Sequence, residues 1–230
     1  MKKYLLLFIT ILLPFEIFAF SLVGDPVAVP SQKEYIIYSK QIETESLPNV
    51  ENADIDTTLL IYNIQTQVSK ATQMFYIKNH ELLPFKNSSW AIPVSKMLTV
   101  ATFEYILDHN LVSSLAFQDI NIRQDFTLSG TTPYGPILDL DNNEFFFYIT
   151  FYLKNEATGE TIIKTFKYHH QIKDEDVNPS KYAELTSTGL TSILSRLEPW
   201  LIENLQKQKA KNKATPANNA ESLFKIATKQ

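Results

Sequence analysis

The stretch EFFFYITFYLK, Glu144–Lys154, decides the fold. Its aromatic and β-branched residues are typical of a strand. Side chains alternate across a strand, and here both alternating sets are largely apolar or aromatic, so neither face is clearly polar. Two interpretations stay open: a central strand covered on both sides, or a strand that leads one face into a partner. On the second interpretation the predicted docking residues are Phe145, Phe147, Ile149 and Phe151, although such a stripe more often forms core.

Further strands are predicted on both sides of this segment. Glu160–Ile172 follows after the turn NEATGE and predicts an antiparallel hairpin. Tyr134–Asp141 reads as a strand, and LAFQDINIRQDFTLSG before it holds one or two short strands. Thr57–Thr66 and Thr72–Lys78 are separated only by QVSKA, which favours a second antiparallel hairpin. Glu34–Lys40 predicts a first strand.

Two helices complete the predicted domain. Pro93–Asp108 carries apolar residues at helical spacing, and Pro93 suits a first helical position because its missing N–H costs nothing there. NHELLPFKNSS, before it, reads as a loop. Pro179–Leu205 has a leucine-rich stripe, which Pro199 is expected to bend or divide. Asn178 is a candidate cap for this helix. The fold class is therefore α+β: one domain with an antiparallel sheet packed against two main helices.

Charge and length set the predicted boundaries along the chain: a signal peptide at 1–19, a leader at 20–33, the domain at 34–205 and a basic disordered tail at 206–230. Residues 20–205 contain 23 acidic and 13 basic residues, whereas residues 206–230 contain six Lys and one Glu. An acidic body argues against nucleic acid as a partner.

The first residues predict export. Lys2 and Lys3 precede a short apolar run, and cleavage is expected after Ala19. An uncleaved N-terminal anchor is the alternative. The chain has no cysteine, which excludes disulfides, thiolate chemistry and a lipid-modified N-terminal cysteine. The predicted location is the periplasm or cell envelope.

No reactive constellation is visible in the sequence. His169 and His170 are adjacent in a predicted strand, so their side chains point to opposite faces and cannot chelate one ion together. Asp139, Asp141 and Glu144 read as a polar loop, because the turn glycine of a calcium loop is missing. We therefore expect a non-enzyme without cofactor or metal. A secreted hydrolase is disfavoured because no nucleophile–base pair is seen.

The segment around the first tryptophan resembles a known family. A strand with Tyr76 is followed by the motif WAIP (Trp90–Pro93), a helix, and the turn HNLVSSL (His109–Leu115). This order resembles the ABC-type transport auxiliary lipoprotein family over Tyr35–Leu205. The resemblance implies that packing residues of the motif, rather than catalytic ones, fix the helix on the sheet: Tyr76, Trp90, Ala91 and Pro93.

The resemblance also implies a function. It implies a periplasmic accessory of an MCE-type ABC transporter, which moves phospholipids or other hydrophobic molecules between membranes. The implied partners are MCE-domain or permease subunits, phospholipid and further copies of the chain. This sequence departs from the family in reading FAFSLVGDP, with Ser21 where a lipobox cysteine is expected. The alternative is an exported binding protein with its own small hydrophobic ligand.

Overall fold

Nine strands and two helices make up the part of the chain that the structure, a computed structural model, describes: residues 31–38, 55–67, 71–118, 120–173 and 177–227. The predicted signal peptide and most of the predicted leader lie outside the described residues. The described residues from Lys33 onward form one unit. In chain order the elements are β1 (Lys33–Tyr35), β2 (Ile55–Thr66), β3 (Gln73–Lys78), β4 (Glu81–Trp90), α1 (Val94–Asp108), β5 (Val112–Phe117), β6 (Phe126–Thr132), β7 (Ile137–Asp139), β8 (Glu144–Asn155), β9 (Thr161–Gln171) and α2 (Pro179–Ala227).

Strand β8 is the centre of the sheet because it pairs along both of its edges. One edge pairs antiparallel with β9 over eleven positions, from Glu144 opposite Gln171 to Lys154 opposite Thr161. The other edge pairs with β7 at one end and with β6 at the other. From there the sheet continues as β6–β2–β5 and as β7–β3–β4–β1. The strand is therefore central, as one of the two interpretations of the sequence expected, but only one of its faces is fully buried.

The sheet is mixed, which corrects the prediction of an antiparallel sheet. Four of its pairings are parallel: β1 with β4, β2 with β5, β2 with β6, and β3 with β7. The predicted hairpin of β2 with β3 is wrong, since Leu60 of β2 lies between Ala116 of β5 and Thr127 of β6. Both neighbours of β2 follow helix α1, and parallel strands require such a crossover.

Strand β4 occupies a segment for which the sequence predicted a loop. It pairs antiparallel with β3 through a two-residue turn in which Asn79 and His80 have φ values of 54° and 62°. Two consecutive left-handed residues are typical of tight hairpin turns. On its other side β4 pairs with β1 only at Ser88–Trp90, so no described strand covers that edge at Pro84. Strands with such an open edge tolerate proline.

Both helices pack on the same face of the sheet. The residues of α2 that were predicted to form its apolar stripe are all 0–1% exposed: Leu190, Ile193, Leu194, Leu197, Leu201 and Leu205. The Asn178 side chain accepts the N–H of Lys181 at 2.8 Å and caps the helix that begins at Pro179, as predicted. Helix α1 is tied to β2 by the Ile64 N–H, which donates to Thr99 Oγ1 at 2.8 Å.

Helix α2 continues past Leu205 to Ala227, so the predicted boundary between domain and tail falls inside one helix. Pro199 lies within this helix without ending it. Gln208 is 2% exposed, and Asn155 Nδ2 donates to Asn212 Oδ1 at 2.9 Å. Asn155 Oδ1 also accepts the N–H of Ala157 in the β8–β9 turn. The first residues of the predicted tail are therefore bound to that hairpin.

Gly189 of α2 packs closely against Tyr168 of β9. A Cβ atom added there would lie 2.8 Å from Tyr168 Cδ1. We expect Gly189→Ala to lower the free energy of unfolding by about 1 kcal/mol, because overpacking costs about 1–3 kcal/mol and the gain in helix propensity returns at most about 1 kcal/mol. Urea denaturation measures the effect. Thr188→Ala, at an exposed neighbouring position of α2, is the control and should not destabilise. A stabilised Gly189→Ala protein would contradict the close packing.

Candidate functional site

The WAIP motif is a structural joint. Trp90 is 2% exposed, and its ring lies 5.4 Å from that of Tyr182 in α2, measured between centroids. The backbone N–H of Trp90 donates to the Thr72 carbonyl, and the backbone N–H of Ala91 donates to the Tyr35 carbonyl at 2.8 Å. Pro93 follows as the N-cap residue of α1. The motif thus connects β1, β4 and both helices.

Tyr76, the fourth predicted motif residue, lies near this joint in β3. It is half-buried, and its ring packs 4.9 Å from Phe85, which in turn stacks on Tyr182 at 5.7 Å. Tyr182 is buried and its hydroxyl donates to the Pro136 carbonyl at 2.6 Å. Burial raises the pKa of Tyr182 far above its usual range. An aromatic chain therefore runs from β3 and β4 into α2.

Trp90 and Tyr182 also line a small apolar cavity. Its volume is about 30 Å³, which is room for on the order of one water molecule. An acyl chain needs far more space. The cavity therefore does not favour a small hydrophobic ligand of the chain's own. Its other walls come from the strands and loops around them: Thr66, Ala71, Gln73, Phe75, Leu82, Val94, Tyr134, Gly135, Pro136 and Ile137.

The predicted docking residues of β8 lie in the core. Phe145, Phe147, Ile149 and Phe151 are all 0% exposed, because they point toward the face that α1 and α2 cover. A partner cannot reach these side chains in this fold. The finding corrects the expectation of a docking surface at these four positions and assigns them to packing.

The other face of β8 is open, and we call it the open face. Phe146, Tyr148 and Tyr152 are only partly buried there. Their cross-strand neighbours on β9 are His169, Lys167 and Ile163 respectively. Ile163 is 58% exposed. Aromatic side chains of β8 and basic or apolar side chains of β9 therefore lie next to one another on one surface.

A shallow depression of about 660 Å³ lies on the open face. Its residues come only from β8 and β9: Glu144, Phe146, Tyr148, Thr150, Thr165, Lys167 and His169. Glu144 Oε2 lies 3.8 Å from His169 Nδ1, and the hydroxyls of Thr150 and Thr165 lie 2.9 Å apart. The ammonium group of Lys167 has no carboxylate partner among the described residues. The depression combines an aromatic floor with a positive charge at its edge.

The four residues that the sequence offered for docking lie on the covered face of β8, and the partly exposed aromatic residues lie on the opposite face. The signal was present, since Phe146, Tyr148 and Tyr152 alternate with the four core residues. Periodicity identifies two faces but cannot say which one the helices cover. His169 lies on the open face and His170 on the other, as expected for neighbours in a strand.

The acidic residues at the end of β7 and just after it stabilise turns. The Asp141 carboxylate accepts the N–H groups of Asn79 and His80, each at 2.7 Å. These two hydrogen bonds hold the pKa of Asp141 below its usual range, and the bond from the His80 N–H has the larger effect. Asp139 Oδ1 accepts the N–H of Asp141 at 2.9 Å. Within the described residues no group of His, Asp and Glu side chains is arranged to hold a metal ion.

A polar contact between the two helices was not foreseen. The Tyr105 hydroxyl of α1 donates to Glu198 Oε2 of α2 at 2.8 Å. Burial, together with this carboxylate, raises the pKa of Tyr105 far above its usual range. The hydroxyl therefore stays protonated and serves as a fixed donor.

Across the part of the chain that the structure describes, neither helix has the length and apolarity of a membrane span.

Solved structures share this fold. A crystal structure of a Xanthomonas campestris protein assigned to the family DUF330 aligns with a TM-score of 0.61 at 13% identity, over 78% of this chain and 99% of that one. A second crystal structure, described as an uncharacterised protein, aligns with a TM-score of 0.51 at 15% identity, over 74% and 99%. At these identities the likeness shows the fold alone.

A third structure is more distant. A PelC dodecamer from Paraburkholderia phytofirmans aligns with a TM-score of 0.37 at 11% identity, over 66% of this chain and 94% of that one. This likeness is too low for its assembly to inform on this chain. No family model matches the sequence, and no curated protein matches it significantly.

Trp90→Ala should destabilise the fold strongly. Removal of this buried ring leaves a cavity next to one that already exists, and such truncations cost about 3–5 kcal/mol. Urea or thermal denaturation measures the loss. Ile92→Ala, two residues away and 41% exposed, is the control and should change stability little. An unchanged melting temperature for Trp90→Ala would refute the role of this residue as a joint.

Asp141→Asn should weaken the fold in a pH-dependent way. The folded pKa of Asp141 lies below 3.8, so its stabilising contribution is present above pH 3.8 and is lost as the pH falls through the folded pKa. An asparagine cannot accept both N–H groups as a carboxylate does. The difference in urea midpoint between wild type and variant should be clear at neutral pH and should shrink in acid. A pH-independent difference would contradict the assignment.

Proposed function

We propose that this chain is a non-catalytic periplasmic accessory of an MCE-type ABC transport system. Such a system moves phospholipids or other hydrophobic molecules between membranes. The role of the chain is docking: it binds an MCE-domain or permease subunit and does not itself bind a cofactor or catalyse a reaction.

The observation that carries this proposal is the open face of the sheet. A sheet with two helices on one side buries its inner residues completely, as Phe147 and Ile149 do here. On the opposite side Phe146, Tyr148 and Tyr152 stay partly exposed together. Exposed aromatic groups that lie close together on a rigid sheet are typical of protein interfaces.

One further observation supports the transporter assignment, and a second agrees with the architecture that this assignment implies. The order of Tyr76, the WAIP motif and the HNLVSSL turn resembles the transport auxiliary lipoprotein family. The fold is shared with the DUF330 protein over nearly the whole of that protein. Both features concern the architecture, whereas the open face supplies the surface on which a partner would bind.

The docking mechanism follows from the shape and chemistry of the open face. The depression is shallow and wide, so it suits a partner surface rather than an enclosed small molecule. Tyr148 and Tyr152 offer large apolar area and a polar tip at low cost in side-chain entropy. Lys167 at the edge would select a partner with complementary negative charge. Phospholipid would then pass along the assembled complex.

Export places the chain next to its proposed partner. Lys2, Lys3 and the apolar run up to Ala19 have the features of a signal peptide. Without a cysteine the chain cannot carry the N-terminal lipid of its proposed relatives, so partner binding or an uncleaved N-terminus would hold it at the envelope.

Loss of two aromatic groups from the open face should abolish partner binding. A tagged wild-type chain, pulled down from gently solubilised envelopes, should bring an MCE-domain protein that mass spectrometry identifies. Phe146→Ser combined with Tyr148→Ser should lose this protein, because the double change removes most of the aromatic surface in the depression. Circular dichroism verifies that the variant is folded.

The matched control removes an exposed aromatic group elsewhere. Tyr62→Ser lies on β2, where the ring is 42% exposed, outside the depression. It should retain the MCE-domain protein. Recovery of the partner by the folded double variant would refute docking on the open face. Recovery of lipid but no MCE-domain protein from wild type would refute the transporter assignment.

A further inference from the structure

Strand β9 forms a long edge of the sheet. It pairs with β8 on one side through eleven consecutive positions without a register shift, and no described strand pairs with its other side. The other edge strands are shorter: β1 has three residues and β5 has six. Long, regular edges are templates on which a further strand can add.

The backbone groups that face this edge can be identified from the register. Asn155 N–H donates to the Glu160 carbonyl, and Ile172 N–H donates to the Asn143 carbonyl. Both pairs therefore belong to the hydrogen-bonded type, and such pairs alternate along an antiparallel ladder. Even-numbered residues of β9 bond to β8. The N–H and C=O groups of the odd-numbered residues consequently point outward: Thr161, Ile163, Thr165, Lys167, His169 and Gln171.

One outward carbonyl is already occupied. Arg196 of α2 donates from Nη2 to the Lys167 carbonyl at 2.7 Å, which agrees with the outward direction of that carbonyl. Arg196 also donates from Nε to the Ser192 carbonyl of its own helix. The guanidinium group therefore stands at the middle of the edge.

The edge is positively charged although the domain is acidic. Lys164 and Lys167 are exposed and have no carboxylate partner among the described residues. Because they lie at an even and an odd position, one is on the helix-covered side of β9 and the other on the open face. With Arg196 they place three cations on and beside the middle of β9. Toward the end of the strand the carboxylate of Glu144 approaches His169, at 3.8 Å from Nδ1.

This charge selects among the strands that could add. Lysines on an edge discourage pairing with a like-charged edge, such as that of a second copy of this chain. The same lysines attract a strand that carries carboxylates, and charge complementarity of this kind sets both partner choice and association rate.

We infer that the β9 edge is a docking site for an acidic, extended segment of a partner protein, which adds to the sheet as a further strand. Backbone hydrogen bonds to the outward groups of Ile163, Thr165 and His169 would hold the segment. Its carboxylates would pair with Lys164 on one side of the sheet and with Lys167 on the other, and with Arg196 once that side chain releases the Lys167 carbonyl. The inference goes beyond the proposed function, because a protein outside any transporter could supply such a segment.

The probe for this site is a short end-capped peptide in which valine and glutamate alternate. Its binding to the full chain is measured by fluorescence anisotropy, with the valine–lysine peptide as the comparison. We expect binding of the acidic peptide only, weakening as salt is raised. Lys164→Glu combined with Lys167→Glu should reduce the affinity at least about tenfold. Lys86→Glu combined with Lys96→Glu makes the same change in net charge on exposed residues of β4 and α1 and should bind as wild type.

Amide hydrogen exchange locates the bound peptide. The N–H groups of Ile163, Thr165 and His169 should become protected on binding, whereas those of β1 and β5 should not change. Protection at another edge, equal binding of the basic peptide, an unaffected Lys164→Glu/Lys167→Glu variant or no binding at all would each overturn the inference. None of these results depends on whether an MCE-domain protein binds the open face, so the two proposals can fail separately.

Discussion

Complete burial of one face of β8 is the constraint on which the rest of this structure depends. Phe145, Phe147, Ile149 and Phe151 have no exposed surface, and they need both helices above them to exclude water. Removing this much apolar area from water is the largest favourable contribution available to a chain without disulfides. With one face of β8 committed to the core, its other face is left without a helix.

Trp90 connects this core to the loops and helices around it. Its backbone N–H donates to the Thr72 carbonyl just before β3, the N–H of its neighbour Ala91 donates to the Tyr35 carbonyl of β1, and its ring contacts that of Tyr182 in α2. Trp90 thereby links the segment that leads into α1 with the first turns of α2. This explains why a tryptophan precedes a helix in a sequence without visible catalytic groups: its role is to hold the strands and helices in position.

Local patterns predicted the elements, but not their long-range pairing. The alternation in β8 and the helical spacing from Val94 to Tyr105 are periodic signals, and both elements appear where they were expected. The predicted β2–β3 hairpin was wrong because a short linker does not determine which strands pair. Both neighbours of β2, the strands β5 and β6, follow α1 in the chain. Strand β4 was missed because Pro84, Asn87 and two serines resemble a loop, and only its pairing with β3 makes it a strand.

The sequence could predict that β8 carries the candidate site, but it could not predict which face of the sheet the site occupies. Two faces of β8 were equally plausible from composition, since Phe146 and Phe147 are the same residue type on opposite sides. Only the positions of α1 and α2 separate them. On the open face a charged residue such as Lys167 tolerates solvent, whereas on the buried face it would be costly. Lys167 is therefore compatible with a surface that meets water or a partner. This surface is exposed because both helices pack on the opposite face, where they bury the core residues of β8.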